Sequence, residues 1–202
     1  MTEAPTHPPE ASSVDPTAPS GHRVPPSSFS TKHRLGRALW GIVWSVLFRP
    51  SPRPLFGWRR WLLGLFGARL SPKARVYPRA KIWAPWNLEM ADFATLADDV
   101  DVYCVDTIRL GERAIVSQYA YLCGASHDFE VDTRPLVPAP ITIGARVWIA
   151  ADVFVSPGVT LGEGCVVGAR SGVFTDLPAW HVCVGTPAKP VREYRPKPAG
   201  TT

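Results

Sequence analysis

Across the last third of this 202-residue chain an aliphatic side chain returns at every sixth position. The series is Ile143, Ile149, Val155, Leu161, Val167 and Val173. Four residues after each of the first five stand Val147, Val153, Val159, Cys165 and Ser171, all small or medium-sized. A helix returns its buried face about every 3.6 residues and a half-buried strand every second residue, so neither gives this double register. A period of six belongs to a parallel β-helix, in which short strands stack coil on coil around an apolar interior. The pattern runs backwards less cleanly. Leu96 and Val102 carry the companions Val100 and Asp106; after a slip of two positions, Leu110, Val116 and Leu122 carry Ala114, Ala120 and Ser126. Stacking is expected to begin between Val76 and Leu88, and Asp106 at an inward-type position reads as a bend or a functional group.

The rest of the chain divides around this array. Residues 1–31 read as a disordered tail, because seven prolines and few large apolar groups leave too little surface to bury. They also lack the apolar stretch of a secretory leader. Residues 32–72 form a basic, Trp-rich helical segment, residues 73–187 the β-helix domain, and residues 188–202 a C-terminal tail. Charge is split sharply: between Pro16 and Leu88 there are thirteen Lys and Arg and no Asp or Glu. The basic character therefore lies outside the repeat and gives no reason to expect nucleic acid. The apolar run from Ala38 to Phe48 is too short to cross a bilayer, which takes roughly 20 helical residues. Two roles fit segment 32–70: a cap packed on the array or on a neighbouring subunit, or peripheral contact with an anionic membrane face. The four cysteines show no C-x-x-C pairing, which suggests neither zinc nor a disulfide framework and fits the cytoplasm.

At His127 the repeat stops, and residues 128–140 form a loop ejected between coils; such insertions commonly build the binding side of a solenoid. In the coil that begins at Leu122, His127 takes the sixth, outward position beside this loop. An exposed imidazole titrating near neutrality suits general-base work on a hydroxyl or amine. His181, past the last clean hexad, reads as structural. Trp148 is also a sixth-position residue and points outward, either as a contact between subunits or as an apolar wall for a ligand. Ala150, Ala151, Gly168 and Ala169 would let an extended ligand approach the backbone, and Lys189, Arg192 and Arg195 could meet phosphates at the end of such a groove.

The hexad array, Gly124-Ala-Ser-His-Asp128, the insertion, Ile143-Gly-Ala-Arg-Val-Trp-Ile149, Val155-Ser-Pro-Gly-Val159, Val167-Gly-Ala-Arg-Ser171 and Gly185-Thr-Pro-Ala-Lys189 together resemble the hexapeptide-repeat acyltransferases. The Trp-rich basic segment, Trp61-Leu-Leu-Gly-Leu-Phe-Gly-Ala68, Pro85-Trp-Asn-Leu88 and Tyr121-Leu-Cys-Gly-Ala-Ser-His-Asp128 resemble, within them, the colanic-acid-type O-acetyltransferases, relatives of the nodulation and galactoside enzymes. That resemblance implies an all-β, left-handed parallel β-helix assembled as a homotrimer, with acetyl-CoA bound between neighbouring prisms and no metal. It implies His127 as the general base, and Trp148, Ala151 and Ala169 along the pantetheine arm, with Lys189 and Arg192 the expected phosphate contacts. Asp106 and Asp128 are expected to contact the acceptor. The acceptor is expected to be a sugar or a polysaccharide repeat unit, lipid-linked or anionic, met at the inner membrane face. A zinc enzyme on the same helix would need three histidine ligands, and only His127 and His181 lie near ordered coils.

Overall fold

The computed structural model describes residues 29–196. From Arg69 the chain winds into five complete coils of three short strands each. The first holds β1 (Arg69–Leu70), β2 (Arg75–Val76) and β3 (Lys81–Ile82), and the second β4 (Leu88–Met90), β5 (Thr95–Leu96) and β6 (Asp101–Tyr103). The third holds β7 (Ile108–Leu110), β8 (Ile115–Val116) and β9 (Tyr121–Cys123). A hairpin, β10 (Ala125–His127) and β11 (Leu136–Pro138), then interrupts the winding. The fourth coil is β12 (Ile141–Ile143), β13 (Trp148–Ile149) and β14 (Phe154–Val155); the fifth is β15 (Thr160–Leu161), β16 (Val166–Val167) and β17 (Gly172–Val173). A sixth begins with Leu177 paired to Leu161 and continues as β18 (His181–Gly185), on which β19 (Ala188–Glu193) folds back antiparallel.

Corresponding strands of successive coils pair in parallel, giving three sheets that form the faces of a prism: β1-β4-β7-β12-β15 (face one), β2-β5-β8-β13-β16-β18-β19 (face two) and β3-β6-β9-β14-β17 (face three). The hexad residues are the interior. Leu96, Val116, Ile149 and Val167 lie in register up face two, and Val102, Leu122, Val155 and Val173 up face three, all of them buried. The companions fill the corners. Ala94, Val100, Ala114, Ala120, Val147, Val153 and Ser171 are buried, and the residue before each holds a left-handed φ: Phe93, Asp99, Arg113, Tyr119, Arg146, Asp152 and Arg170, between 57° and 64°. That conformation costs a side-chain-bearing residue about 1–2 kcal/mol, which the ladder bonds and buried aliphatics on either side must offset.

The carbonyls of the inward residues accept from the coil before: Arg75 N–H donates to Ala94 O at 2.8 Å, Thr95 N–H to Ala114 O at 2.8 Å, and Ile115 N–H to Val147 O at 2.8 Å. The first coil is therefore left with inward-lying carbonyls that no earlier coil can satisfy, a cost unless donors are brought to them. The basic segment brings them. It is helical over α1 (Thr31–Val43), a π-helical continuation (Trp44–Phe48) and α2 (Phe56–Leu65), started by Ser30, whose hydroxyl accepts the His33 amide. The indole of Trp40 donates to Ile82 O at 2.7 Å and that of Trp44 to Ala80 O at 2.9 Å. Arg59 Nε donates to Val76 O at 2.6 Å, and Arg60 Nη1 to Ala74 O at 2.9 Å. Arg59 is fully buried, and Ser51 Oγ, Pro52 O and Arg53 O accept three more of its N–H groups. A carbonyl edge requires donors and has no use for carboxylates, which accounts physically for tryptophan and arginine without acids. The segment is a cap.

Several expectations need correcting. Stacking starts at Arg69, earlier than expected, because β1 already pairs with β4. Residues 188–193, assigned by composition to the C-terminal tail, are strand β19; its antiparallel return carries no hexad signature. Ser126 is exposed rather than inward, since the chain has already left the coil for the hairpin. Asp106 is half-buried and not inward: Cys104 fills the interior, and Asp106 Oδ1 accepts the Thr107 amide at 2.5 Å to turn the corner. The insertion is a hairpin with a tip at residues 128–135, rather than a loop over 128–140. Residues 1–28 and 197–202 lie outside the described residues, and with them most of the expected N-terminal tail.

Candidate active site

The hairpin leaves the prism at the edge between faces three and one. Its base is pressed onto the coil below: Gly124 N–H donates to Tyr103 O at 2.8 Å, and a Cβ on Gly124 would stand 2.5 Å from that oxygen. Only glycine admits this approach. β10 and β11 pair with Ser126 opposite Val137 and His127 opposite Leu136, so Leu136 is buried while His127 stays exposed. The imidazole Nδ1 lies 2.7 Å from Arg134 O at the hairpin tip. A carbonyl only accepts, so Nδ1 carries the proton and Nε2 the lone pair. Arg134 holds a left-handed φ of 43° in the hairpin tip, where its N–H donates to Val131 O at 2.8 Å.

Asp106 lies on the same edge one coil earlier, beside the segment on which Gly124 packs. Asp128 follows His127, and its Oδ1 accepts the Glu130 amide at 3.1 Å. Sequence reasoning therefore named three side chains, Asp106, His127 and Asp128, that the fold gathers on one edge. Nearby on face three, Trp83, Tyr103, Tyr121, Phe154 and Phe174 form a column of neighbouring rings with centroids 5.4 to 6.3 Å apart. Burial pushes the Tyr103 and Tyr121 phenols up, with Cys123 beside them adding to it, so both remain neutral hydroxyls.

The second group of named residues lies elsewhere. Trp148 is half-exposed on the outer surface of face two, its indole donating to Ser117 Oγ at 3.1 Å. Register carries a row from Trp148 to Val166, Val182 and Arg192 across β13, β16, β18 and β19. Three strand spacings of about 4.8 Å put Trp148 and Arg192 roughly 14 Å apart, with Lys189 opposite Val184 on the same strand pair. Ala151 and Ala169 sit at the edge between faces two and three in adjacent coils, Arg170 N–H donating to Ala151 O at 3.0 Å. Lys189 and Arg192 are exposed, and neither is in an ion pair among the described residues. Face-two surface and His127 edge are separated by the width of a face, roughly 20 Å at six residues of about 3.3 Å. One prism does not bring the two groups together. Sequence reasoning missed Ser117 and the Arg134 carbonyl, both of which act through geometry rather than residue type. His181 is structural, its Nδ1 donating to Ala179 O at 2.7 Å, and no His/Cys/Asp/Glu group among the described residues could hold a metal ion.

Known proteins share this architecture and much of its sequence. Residues 140–175 match the family model described as bacterial transferase hexapeptide (six repeats). A protein of Escherichia coli (strain K12) named as a colanic acid biosynthesis acetyltransferase is 44% identical over 174 residues, spanning 86% of this chain and 95% of that one. The chain belongs to the hexapeptide-repeat acetyltransferases. Galactoside O-acetyltransferase of Escherichia coli (strain K12) is 33% identical over 102 residues, covering 49% of this chain and 47% of its own. Among solved structures, a hexapeptide-repeat acetyltransferase of Vibrio cholerae complexed with acetyl-CoA superposes with TM-score 0.75 at 25% identity, over 83% of this chain and 91% of that one. A maltose O-acetyltransferase from Clostridium difficile 630 superposes with TM-score 0.74 at 22% identity, over 83% and 90%, and shares the fold. Among the described residues, no helix is long and apolar enough to cross a membrane.

Proposed function

We propose that the protein transfers an acetyl group from acetyl-CoA to a sugar hydroxyl of a polysaccharide repeat unit, with His127 as general base. The observation that carries this is the bond from His127 Nδ1 to Arg134 O, which leaves a basic Nε2 on an exposed ring. A sugar hydroxyl forms negligible alkoxide at neutral pH, while a thioester is already activated, so the enzyme's work is placement and proton transfer. His127 Nε2 takes the hydroxyl proton as the oxygen attacks the acetyl carbonyl, and returns it to the departing thiolate. Asp106 and Asp128, on the same edge, accept hydrogen bonds from neighbouring sugar hydroxyls.

Face two fits the donor. Trp148 offers an apolar wall, Ala151 and Ala169 leave room for an extended arm beside the backbone, and Lys189 and Arg192 offer unpaired cations to its phosphates. Because these residues and His127 occupy different edges, the complete site forms where one prism's His127 edge meets the face-two surface of a neighbour. A homotrimer closes three such seams. Four free cysteines, with the Cys165 and Cys183 sulfurs 4.0 Å apart in a thiol hydrogen bond, fit a reducing compartment such as the cytoplasm. The acceptor class rests on the similarity to the colanic acid relative.

The test is release of coenzyme A thiol from acetyl-CoA with repeat-unit oligosaccharides and with free galactosides as acceptors. His127→Ala should lose ~10²–10⁴ in rate while coenzyme A binding and assembly persist. Full activity in that variant removes His127 from the mechanism.

A further inference from the structure

The cap has two sides, and its inner side has been accounted for by the carbonyls it satisfies. We propose that its outer side is a docking surface for an anionic lipid bilayer. On α1 and its continuation, Leu35, Leu39, Ile42 and Val46 recur at helical spacing; around α2, Leu55, Trp58, Trp61 and Leu65 do the same. All eight are 37 to 70% exposed, an apolar surface that nothing in the chain covers among the described residues. Around Trp40 as the inward pole, the first stripe falls on the far side of its helix.

Order and charge give this surface its partner. Trp58 and Trp61 stack with centroids 5.0 Å apart, and Trp58 is fixed by its indole N–H, donated to Leu47 O at 3.0 Å. Rigid, exposed indoles suit the boundary between headgroups and acyl chains. Several arginines are engaged by the first coils: Arg37 lies 3.8 Å from the Trp83 ring centroid, Arg53 pairs with Asp98, and Arg59 and Arg60 bind carbonyls. Lys32, Arg34 and Arg49 are exposed beside the first stripe, Arg49 5.5 Å from the Trp44 ring centroid, and no acid occurs between Pro16 and Leu88. A second copy would bring the same positive surplus and be repelled, whereas an anionic bilayer attracts it. Neither helix is long enough to span, so the cap lies on the surface. Given the transfer reaction proposed above, this stands the prism upright on the bilayer, where a lipid-linked repeat unit would be presented.

Flotation of the full chain with vesicles of phosphatidylcholine alone, and of phosphatidylcholine mixed with phosphatidylglycerol, tests the proposal. The protein should float with the mixed vesicles at low salt and be released at high salt. The double variant Leu39→Glu/Ile42→Glu should lower partitioning at least ~tenfold, and Lys32→Glu/Arg49→Glu should remove the preference for phosphatidylglycerol. Both variants should keep the assembly mass and the acetyl transfer to a soluble glycan, so a failed membrane reading is distinguishable from a failed enzymatic one. Absence of flotation with phosphatidylglycerol vesicles overturns the proposal. So does a Leu39→Glu/Ile42→Glu protein that falls to a smaller mass, because the stripe is then a contact between copies.

Discussion

His127 and Arg134 face each other across the tip of the ejected hairpin, the imidazole Nδ1 2.7 Å from the arginine carbonyl. The partner is backbone, so the contact depends on the path of the hairpin tip, where Arg134 holds a φ of 43°, and not on the Arg134 side chain. Arg134→Ala should keep activity within a few-fold. Arg134→Pro, whose ring fixes φ near −65° and which lacks the N–H that Arg134 donates to Val131 O at 2.8 Å, should rearrange the tip and cut the rate ~10–10²-fold. Steady-state rates and thermal melts of both variants check this, and equal activity would detach the hairpin tip from the reaction.

The cap's donors make a separable prediction about stability. Arg59 is fully buried with acceptors at Val76, Ser51, Pro52 and Arg53, so Arg59→Met strands four hydrogen-bond acceptors around a buried side chain. A loss of about 3–5 kcal/mol is expected. Trp40→Phe keeps most of the packing on Phe48 and Phe66 but removes the donor to Ile82 O, and should cost about 1–3 kcal/mol. Denaturant titrations read both, and a Trp40→Phe protein as stable as its parent would mean that the carbonyl edge needs no donor.

Legibility in the sequence followed locality. The coils from Ile143 to Val173 could be read because each inward residue is marked every six positions by its own identity. The slip before Leu110 has a local cause that composition hides: the corner at Cys104–Thr107 is longer, and Asn87 Nδ2 donates to both Cys104 O and Val105 O to hold it, at 3.1 and 2.8 Å. A cap could be named as one of two roles for residues 32–70, but its carbonyl targets could not, because they are distant in sequence, Trp40 reaching Ile82 and Arg59 reaching Val76. His127 could be named from its position at the break in the repeat. Its tautomer could not, since that depends on a carbonyl seven residues on.

Two glycines of opposite character give a paired test of coil stacking. A Cβ on Gly111 would lie 2.5 Å from the Ala145 amide nitrogen, backbone of the next coil, which cannot yield without opening the ladder. Gly111→Ala should destabilise by about 1–3 kcal/mol or more. Gly41, inside α1, has nothing within 4 Å of its Cβ position, and Gly41→Ala should stabilise by about 0.5–1 kcal/mol through helix propensity. Opposite shifts in melting temperature are the expected readout.

Thiol reactivity reports on the prism interior without perturbing it. Cys104 is buried at the corner between coils, where desolvation raises its thiol to about 11, and it exchanges bonds with Ala84 N and O. Desolvation likewise raises Cys165 to about 12, with Cys183 alongside adding to the effect, and Cys183 is itself raised by burial. Only the thiolate attacks an alkylating reagent, so at pH 7 to 8 these three are protected both by burial and by protonation. Cys123, on face three before the hairpin, donates to Ala125 O and is the one cysteine of the four that is only half-buried. Iodoacetamide at pH 8 should therefore modify one thiol per folded chain, at Cys123, and four after denaturation. Mass spectrometry of peptides from the native reaction locates the label. Rapid native labelling at Cys165 or Cys183 would mean that the last coils open on the reaction timescale, and the register from Val166 to Val182 and Arg192, on which the proposed donor groove depends, would not be held.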